Sequence, residues 1–195
     1  MAFAKTISNE EVAVLPAAEF GGEIIVVDDD ASLDEAVEYL RRQPVLGFDT
    51  ETRPSFTKHV VNRVALLQLS TRERCDLIRL CCLKNTAKAL SLLEDGRITK
   101  IGAAVKCDAV SLSRLRRFTP AGFIDLQQEV ESVGIENKSL RKMAAIVLGK
   151  RVSKAQRLSN WEASSLTRQQ QLYAATDAWI CLKIYDALKK GANNE

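Results

Sequence analysis

The sequence predicts an α/β domain in which a mixed sheet is flanked by helices. Three observations carry this. Short runs rich in β-branched residues and bounded by turn residues recur between residue 21 and about residue 126. Amphipathic helical segments interrupt them, and from Leu126 onward the pattern is mainly helical. The 195 residues suffice for one domain with a multi-layered core, and a composition 46% hydrophobic and 27% charged is that of a soluble globular chain.

GGEIIVV at 21–27 reads as a strand, bounded by glycines and by Asp28–Asp30. SLDEAVEYLRRQ follows with Leu33, Ala36, Val37 and Leu40 at helical spacing, and Ser32 with Glu35 has the spacing of a capping box. VLGFDTE is the next strand, stopped by Pro54. NRVALLQLST and RCDLIRL read as two more, joined by a tight turn at Arg72–Arg74. LKNTAKALSLLED is helical, and RITKIG is a short strand ending at Gly102. CDAVSLSRLRRF is a helix with Val110, Leu112 and Leu115 inside, and GFIDLQ a further short strand. LQQEVESVG, SLRKMAAIVLG and a long segment from about Thr167 to Lys190 complete the helices. Residues 1–20 are expected to form a loosely packed arm, and 191–195 a frayed tail.

Composition narrows the function classes. No apolar run approaches the roughly 20 residues of a membrane helix, and the start lacks the basic-then-apolar pattern of a secretory signal. The cysteines Cys75, Cys81, Cys82, Cys107 and Cys181 form no CxxC pair, so reduced, buried thiols in a cytoplasmic protein are expected. The net charge of +3 is unevenly spread: Lys138–Arg157 holds seven Lys or Arg and no acid, a footprint for phosphates or a solvated face.

VLGFDTETRPSF sets two carboxylates, Asp49 and Glu51, one position apart on a strand. Side chains alternate faces with period two, so these two project together while Thr50 points the other way. Like charges on one face destabilise each other unless a cation or proton intervenes. Asp108 lies just past a strand end at the start of a helix, where an N-cap role is the simplest reading. Asp177 falls on the inward side of the last helix, with Tyr173 one turn before it and Lys183 or Arg168 as candidate partners. Acids on faces that otherwise look buried are expensive unless paired or metal-bound.

Together these residues resemble the three motifs of the DEDD superfamily of 3'-5' exonucleases, in the subgroup whose third motif carries tyrosine. FDTET is similar to motif I, GAAVKCDAVSL to motif II and YAATD to motif III. The run RVSKAQRLSNWEASSLTRQQQLYAATDAW is similar to the ribonuclease D and Werner-syndrome-type branch. The likeness spans residues 23–190 in order, with no helicase or HRDC-type segment, so the expectation is a stand-alone exonuclease domain over 21–190. The resemblance implies a ribonuclease H-like fold: a five-stranded mixed sheet with helices on both faces. Gly102, Ala103 and Ala104 stand where many relatives carry Gly-His and Asn or Lys, a mark of branch.

The single histidine, His59, lies in a polar loop, and Leu172 occupies the place where the sister subgroup has its histidine. A zinc site or Ser-His-Asp triad is thereby disfavoured, and the carboxylates point to Mg²⁺ or Mn²⁺. The resemblance implies hydrolysis of phosphodiester bonds from a free 3' end of DNA or RNA by two ions roughly 4 Å apart, releasing nucleoside 5'-monophosphates. By that resemblance Asp49 bridges both ions, Glu51 and Asp177 complete the first site, Asp108 holds the second, and Tyr173 orients the attacking water. On the nucleic acid, Lys154 and Arg157 are expected to grip the backbone, and Leu67 and Gln68 either to wall the terminal nucleotide or, as strand residues, to fill the core. Trp161 is expected either to stack on a base or to fill the core. The rival readings are an inactive nucleic-acid-binding module and an aspartyl-phosphate-type phosphatase. All four acids and the tyrosine being present argues against the first, and Glu51 in place of a second Asp argues against the second.

Overall fold

The computed structural model describes residues 3–57 and 61–192; His59 lies outside them. Six strands form one sheet: β1 (Glu23–Val27), β2 (Val45–Thr52), β3 (Val64–Ser70), β4 (Arg74–Arg79), β5 (Thr99–Gly102) and β6 (Phe123–Asp125). The helices are α1 (Asn9–Val14), α2 (Asp30–Arg41), α3 (Ala87–Glu94), α4 (Val105–Ser113), α5 (Leu126–Ser132), α6 (Leu140–Leu148) and α7 (Arg168–Ala192). The sheet order is β1-β4-β3-β2-β5-β6, and β3 alone runs against its neighbours. The sheet is therefore mixed, as expected, but it has six strands where the family resemblance implied five. The GFIDLQ segment supplies the sixth, pairing over Phe123–Asp125 with β5.

Period-two alternation divides the sheet into two faces. Phe48, Leu67 and Leu69 point to one face, where they join Leu33, Ala36, Leu40, Leu90, Leu93 and Leu112 of α2, α3 and α4. Leu66, Cys75 and Leu77 point to the other and meet Ala174, Ala175 and Ala178 of α7. Farther along α7, Ile180, Leu182 and Ile184 pack with Leu126, Val130, Met143 and Ala144 of α5 and α6. Burial of these faces is the main stabilising term, roughly 1.5–3 kcal/mol for each large side chain.

Three local expectations need correction. α2 starts earlier than Ser32: Asp29 is extended (φ −139°, ψ 172°), and its carboxylate accepts from Ser32 N at 2.7 Å. Ser32 is thus the third helical residue rather than the cap, because an ionised acceptor suits the helix N-terminus better than a hydroxyl. Val110 is 60% exposed on the outer side of α4, while Leu112 is the buried one. The arm is docked rather than loose. Val12, Ala18 and Phe20 are buried, Ala18 N donates to Arg151 O at 2.9 Å, and Phe20 N donates to Thr176 Oγ1 at 3.0 Å.

Gly47 decides how closely α7 lies over β2. A Cβ at Gly47 would collide with the Ala178 carbonyl oxygen and approach Leu182 Cγ to 3.2 Å. Only hydrogen fits there, so α7 rests directly on the strand two residues before Asp49. Gly47→Ala should cost roughly 1–3 kcal/mol, because a packed core accommodates an added methyl only by displacing backbone. Thermal melts read the loss, with Gly21→Ala, which meets nothing within 4 Å, as the tolerated control.

Candidate active site

The helix and strand held together at Gly47 bring their carboxylates into one cluster. Asp49 and Glu51 leave β2 on the face beneath α7, and Asp177 comes down from α7 beside Ala178. One carboxylate oxygen from each of Asp49, Glu51 and Asp177 lies within 4.8 Å of the others. Asp177 is 7% exposed, and its Oδ1 is buried without a hydrogen-bond partner among the described residues. Neither Lys183 nor Arg168 forms an ion pair with it among the described residues.

Asp108 is held apart from this triad. It sits in the first turn of α4, whose N-cap is Ala104 rather than Asp108. Its Oδ1 accepts from Thr50 Oγ1 at 2.6 Å. Thr50 points opposite to Asp49 and Glu51, so β2 addresses acids on both of its faces at once. The turn before α4 is special. Ala104 adopts a left-handed conformation (φ 59°), Gly102 lies so close to Phe48 and Val105 that a Cβ would sit under 3 Å from both, and Asp125 Oδ1 accepts from Ala104 N at 3.0 Å. A non-glycine residue at positive φ is costly and persists where its surroundings over-determine it. Sequence reading missed Thr50, Asp125 and Gly47; the alternation along β2 was the signal available for Thr50.

Electrostatics mark the triad as unfinished. Burial, followed by the charges of Asp177, Glu51 and Asp108, pushes the Asp49 carboxyl well above its usual range. Burial, then Asp177 and Asp108, pushes Glu51 up to about 8. Burial raises Asp177 to about 7 against the opposing pull of the Tyr173 phenol, and raises Asp108 to about 6 against its bond from Thr50. Tyr173 itself is pushed up by burial and then by Asp177, so its hydroxyl stays protonated at neutral pH. An all-oxygen donor set, an orphaned buried oxygen and mutual repulsion fit a hard divalent cation and no soft one.

The remaining expected residues sort by exposure. Tyr173 borders a cavity of about 250 Å³ that also reaches Asp177, walled by Ala17–Glu19 of the arm and by Arg151, Ser153 and Gln156. Lys154 and Arg157 are exposed in the same loop as Arg151. Leu67, Gln68 and Trp161 are each 0% exposed, so of the two roles open to each the structure shows the core one and not contact with a nucleotide. Leu67 lies on the face opposite Asp49, and Gln68 lies directly across from Asp49 on β3, both amide atoms unpartnered. Trp161 packs behind Tyr173, with ring centroids 6.0 Å apart. Its loop is clamped by buried Arg79, which donates to Ser164 O at 3.0 Å and to Ala163 O.

The sequence profile of the 3'-5' exonuclease family matches residues 24–192. Over 167 residues the chain is 36% identical to Exonuclease 3'-5' domain-containing protein 2 of Drosophila melanogaster, covering 80% of this chain and 27% of that protein. It is 34% identical over 190 residues to the bifunctional 3'-5' exonuclease/ATP-dependent helicase WRN of Mus musculus, covering 89% of this chain and 13% of that protein. The fold is similar to that of the Aedes aegypti Nibbler EXO domain, with a TM-score of 0.83 at 23% identity, over 91% of this chain and 94% of that one. The chain thus spans only about a quarter or less of the length of the two curated relatives.

The raised carboxyls set a sign for pH dependence. The folded state holds protons that the unfolded state releases near 4, so metal-free stability is undiminished below about 4 and declines as pH rises through the raised values of about 6, 7 and 8, with Asp49 adding to the decline. Thermal melts in chelator at pH 6, 7 and 8 should show this decline, and Mg²⁺ should flatten it. Asp177→Asn should melt higher than the unsubstituted chain in chelator and lose most of the Mg²⁺-induced rise. A metal-free stability that climbs over this range would contradict the clustered geometry.

Proposed function

The chain belongs to the 3'-5' exonuclease family of the DEDD superfamily, and on that premise we propose that it hydrolyses phosphodiester bonds from the 3' end of DNA or RNA strands. The observation that carries this reading is the convergence of Asp49, Glu51 and Asp177 within 4.8 Å, with Tyr173 one helical turn before Asp177. No described helix is long and apolar enough to cross a membrane.

In this reading Asp49, Glu51 and Asp177 hold one divalent ion, Mg²⁺ or Mn²⁺, and Asp49 shares a second with Asp108. Bound there, the ions supply positive charge to the phosphate and lower the pKa of the attacking water. Thr50 fixes the rotamer of Asp108 by its 2.6 Å hydrogen bond. The Tyr173 hydroxyl, kept protonated by its surroundings, orients the water rather than deprotonating it. Trp161 holds the phenol ring from behind, and Lys154 with Arg157 grips the incoming phosphates.

Incubation with 5'-labelled single-stranded DNA and RNA should give a ladder with Mg²⁺ or Mn²⁺ and none with EDTA, releasing nucleoside 5'-monophosphates. Asp49→Ala should abolish the ladder while leaving binding largely intact, since backbone affinity rests on Lys and Arg. Full activity in that variant with excess Mg²⁺ would sink the assignment. Tyr173→Phe should lose about 10- to 1000-fold in single-turnover rate, as for one positioned hydroxyl. Changing Lys154 and Arg157 together to Ala should flatten log affinity against log salt by about 0.7 per lost contact on single strands. An unchanged slope would assign the phosphate grip to other cations.

A further inference from the structure

We propose that Cys81 and Cys82 form a two-thiolate site for a thiophilic, filled-shell divalent cation such as zinc or cadmium. Adjacent side chains on a strand diverge to opposite faces. Beyond β4 the chain turns, closed by Cys82 N donating to Arg79 O at 2.9 Å and steadied by Cys81 N donating to Ala65 O at 3.4 Å. The turn brings both exposed sulfurs to one side, 3.8 Å apart. Two thiolates bound at about 2.3 Å to a tetrahedral cation stand about 3.8 Å apart, so the pair already has the bite of such a site. The separation is far beyond an S–S bond, and the pair is reduced.

The surroundings keep this geometry in place. Arg79 is 2% exposed and fixed by the Ser164 and Ala163 carbonyls, so the turn that follows it has a rigid base. Burial, then the neighbouring Cys82, raises the Cys81 thiol above its ordinary value against the pull of the Arg79 guanidinium. At neutral pH Cys81 therefore keeps a proton that a cation must displace. Exposure of both residues leaves the other coordination positions to water or a further ligand. The carboxylate triad is a hard site and this is a soft one, so the two ion classes do not compete for the same donors. Cys107, exposed but alone, lacks the second sulfur.

The test is titration of the full chain with Cd²⁺ under excess Mg²⁺, reading the ultraviolet thiolate-to-cadmium charge-transfer band, to which carboxylates do not contribute. One equivalent should develop the band, and affinity should rise by up to roughly 100-fold per pH unit below the thiol pKa values, as displacing two protons requires. Cys81→Ser and Cys82→Ser should each lose the band, and Cys107→Ser should keep it, with circular dichroism confirming that all three are folded. A band that survives Cys82→Ser, or no band in the folded unsubstituted chain, overturns the proposal. Neither result bears on nuclease activity, which the acids carry.

Discussion

The contact of α7 with β2 at Gly47 is the constraint on which the rest depends. Packed layers normally stand apart by the side chains between them, about 10 Å for one sheet on another. Here the strand offers a hydrogen atom and the helix offers Ala174, Ala175 and Ala178, so backbone meets backbone. A carboxylate is short. Only at this approach can Asp177 bring an oxygen within 4.8 Å of those on Asp49 and Glu51.

That closeness is unfavourable by itself. Three desolvated carboxylates repel, and their raised pKa values express the repulsion as retained protons. The fold absorbs the cost through the apolar cores on both sides of the sheet and through polar clamps outside the cluster. Arg72 and Asp186 pair at 2.8 Å between the β3–β4 turn and α7. Phe20 is bonded to Thr176 and lies 5.9 Å from Trp179, ring to ring, so the arm grips α7 next to Asp177. The arm lies wholly outside the segment that matches the family profile, yet Ala17–Glu19 wall the cavity at Tyr173.

Aromatic and cationic residues show how burial redistributes roles. Trp161 and Gln68 have the chemistry to meet a base, but both are inside. Trp161 instead sets the ring of Tyr173, and its loop is held by a buried guanidinium bonded to two carbonyls. The basic strip is likewise divided: Arg151 donates to the Leu15 carbonyl and Lys138 pairs with Glu131 at 2.8 Å, whereas Lys154 and Arg157 form no ion pair among the described residues.

The sequence by itself determined the strands, most helix positions, the facing of Asp49 and Glu51, and the shared face of Tyr173 and Asp177. These follow from periods of two and 3.6 residues, which are local backbone geometry written directly into residue order. It also carried the motif likeness that led to the family. Tertiary structure alone decided what lies across from each residue: Asp108 against Thr50, Trp161 behind Tyr173, the arm against Arg151, and Asp177 without a cation partner among the described residues. The sixth strand shows the same division, since GFIDLQ read as a strand while its partner, β5, was set by packing. Contacts between residues far apart in the chain depend on how whole faces fit together, with a methyl group at Gly47 enough to change the outcome, and no local periodicity encodes that fit.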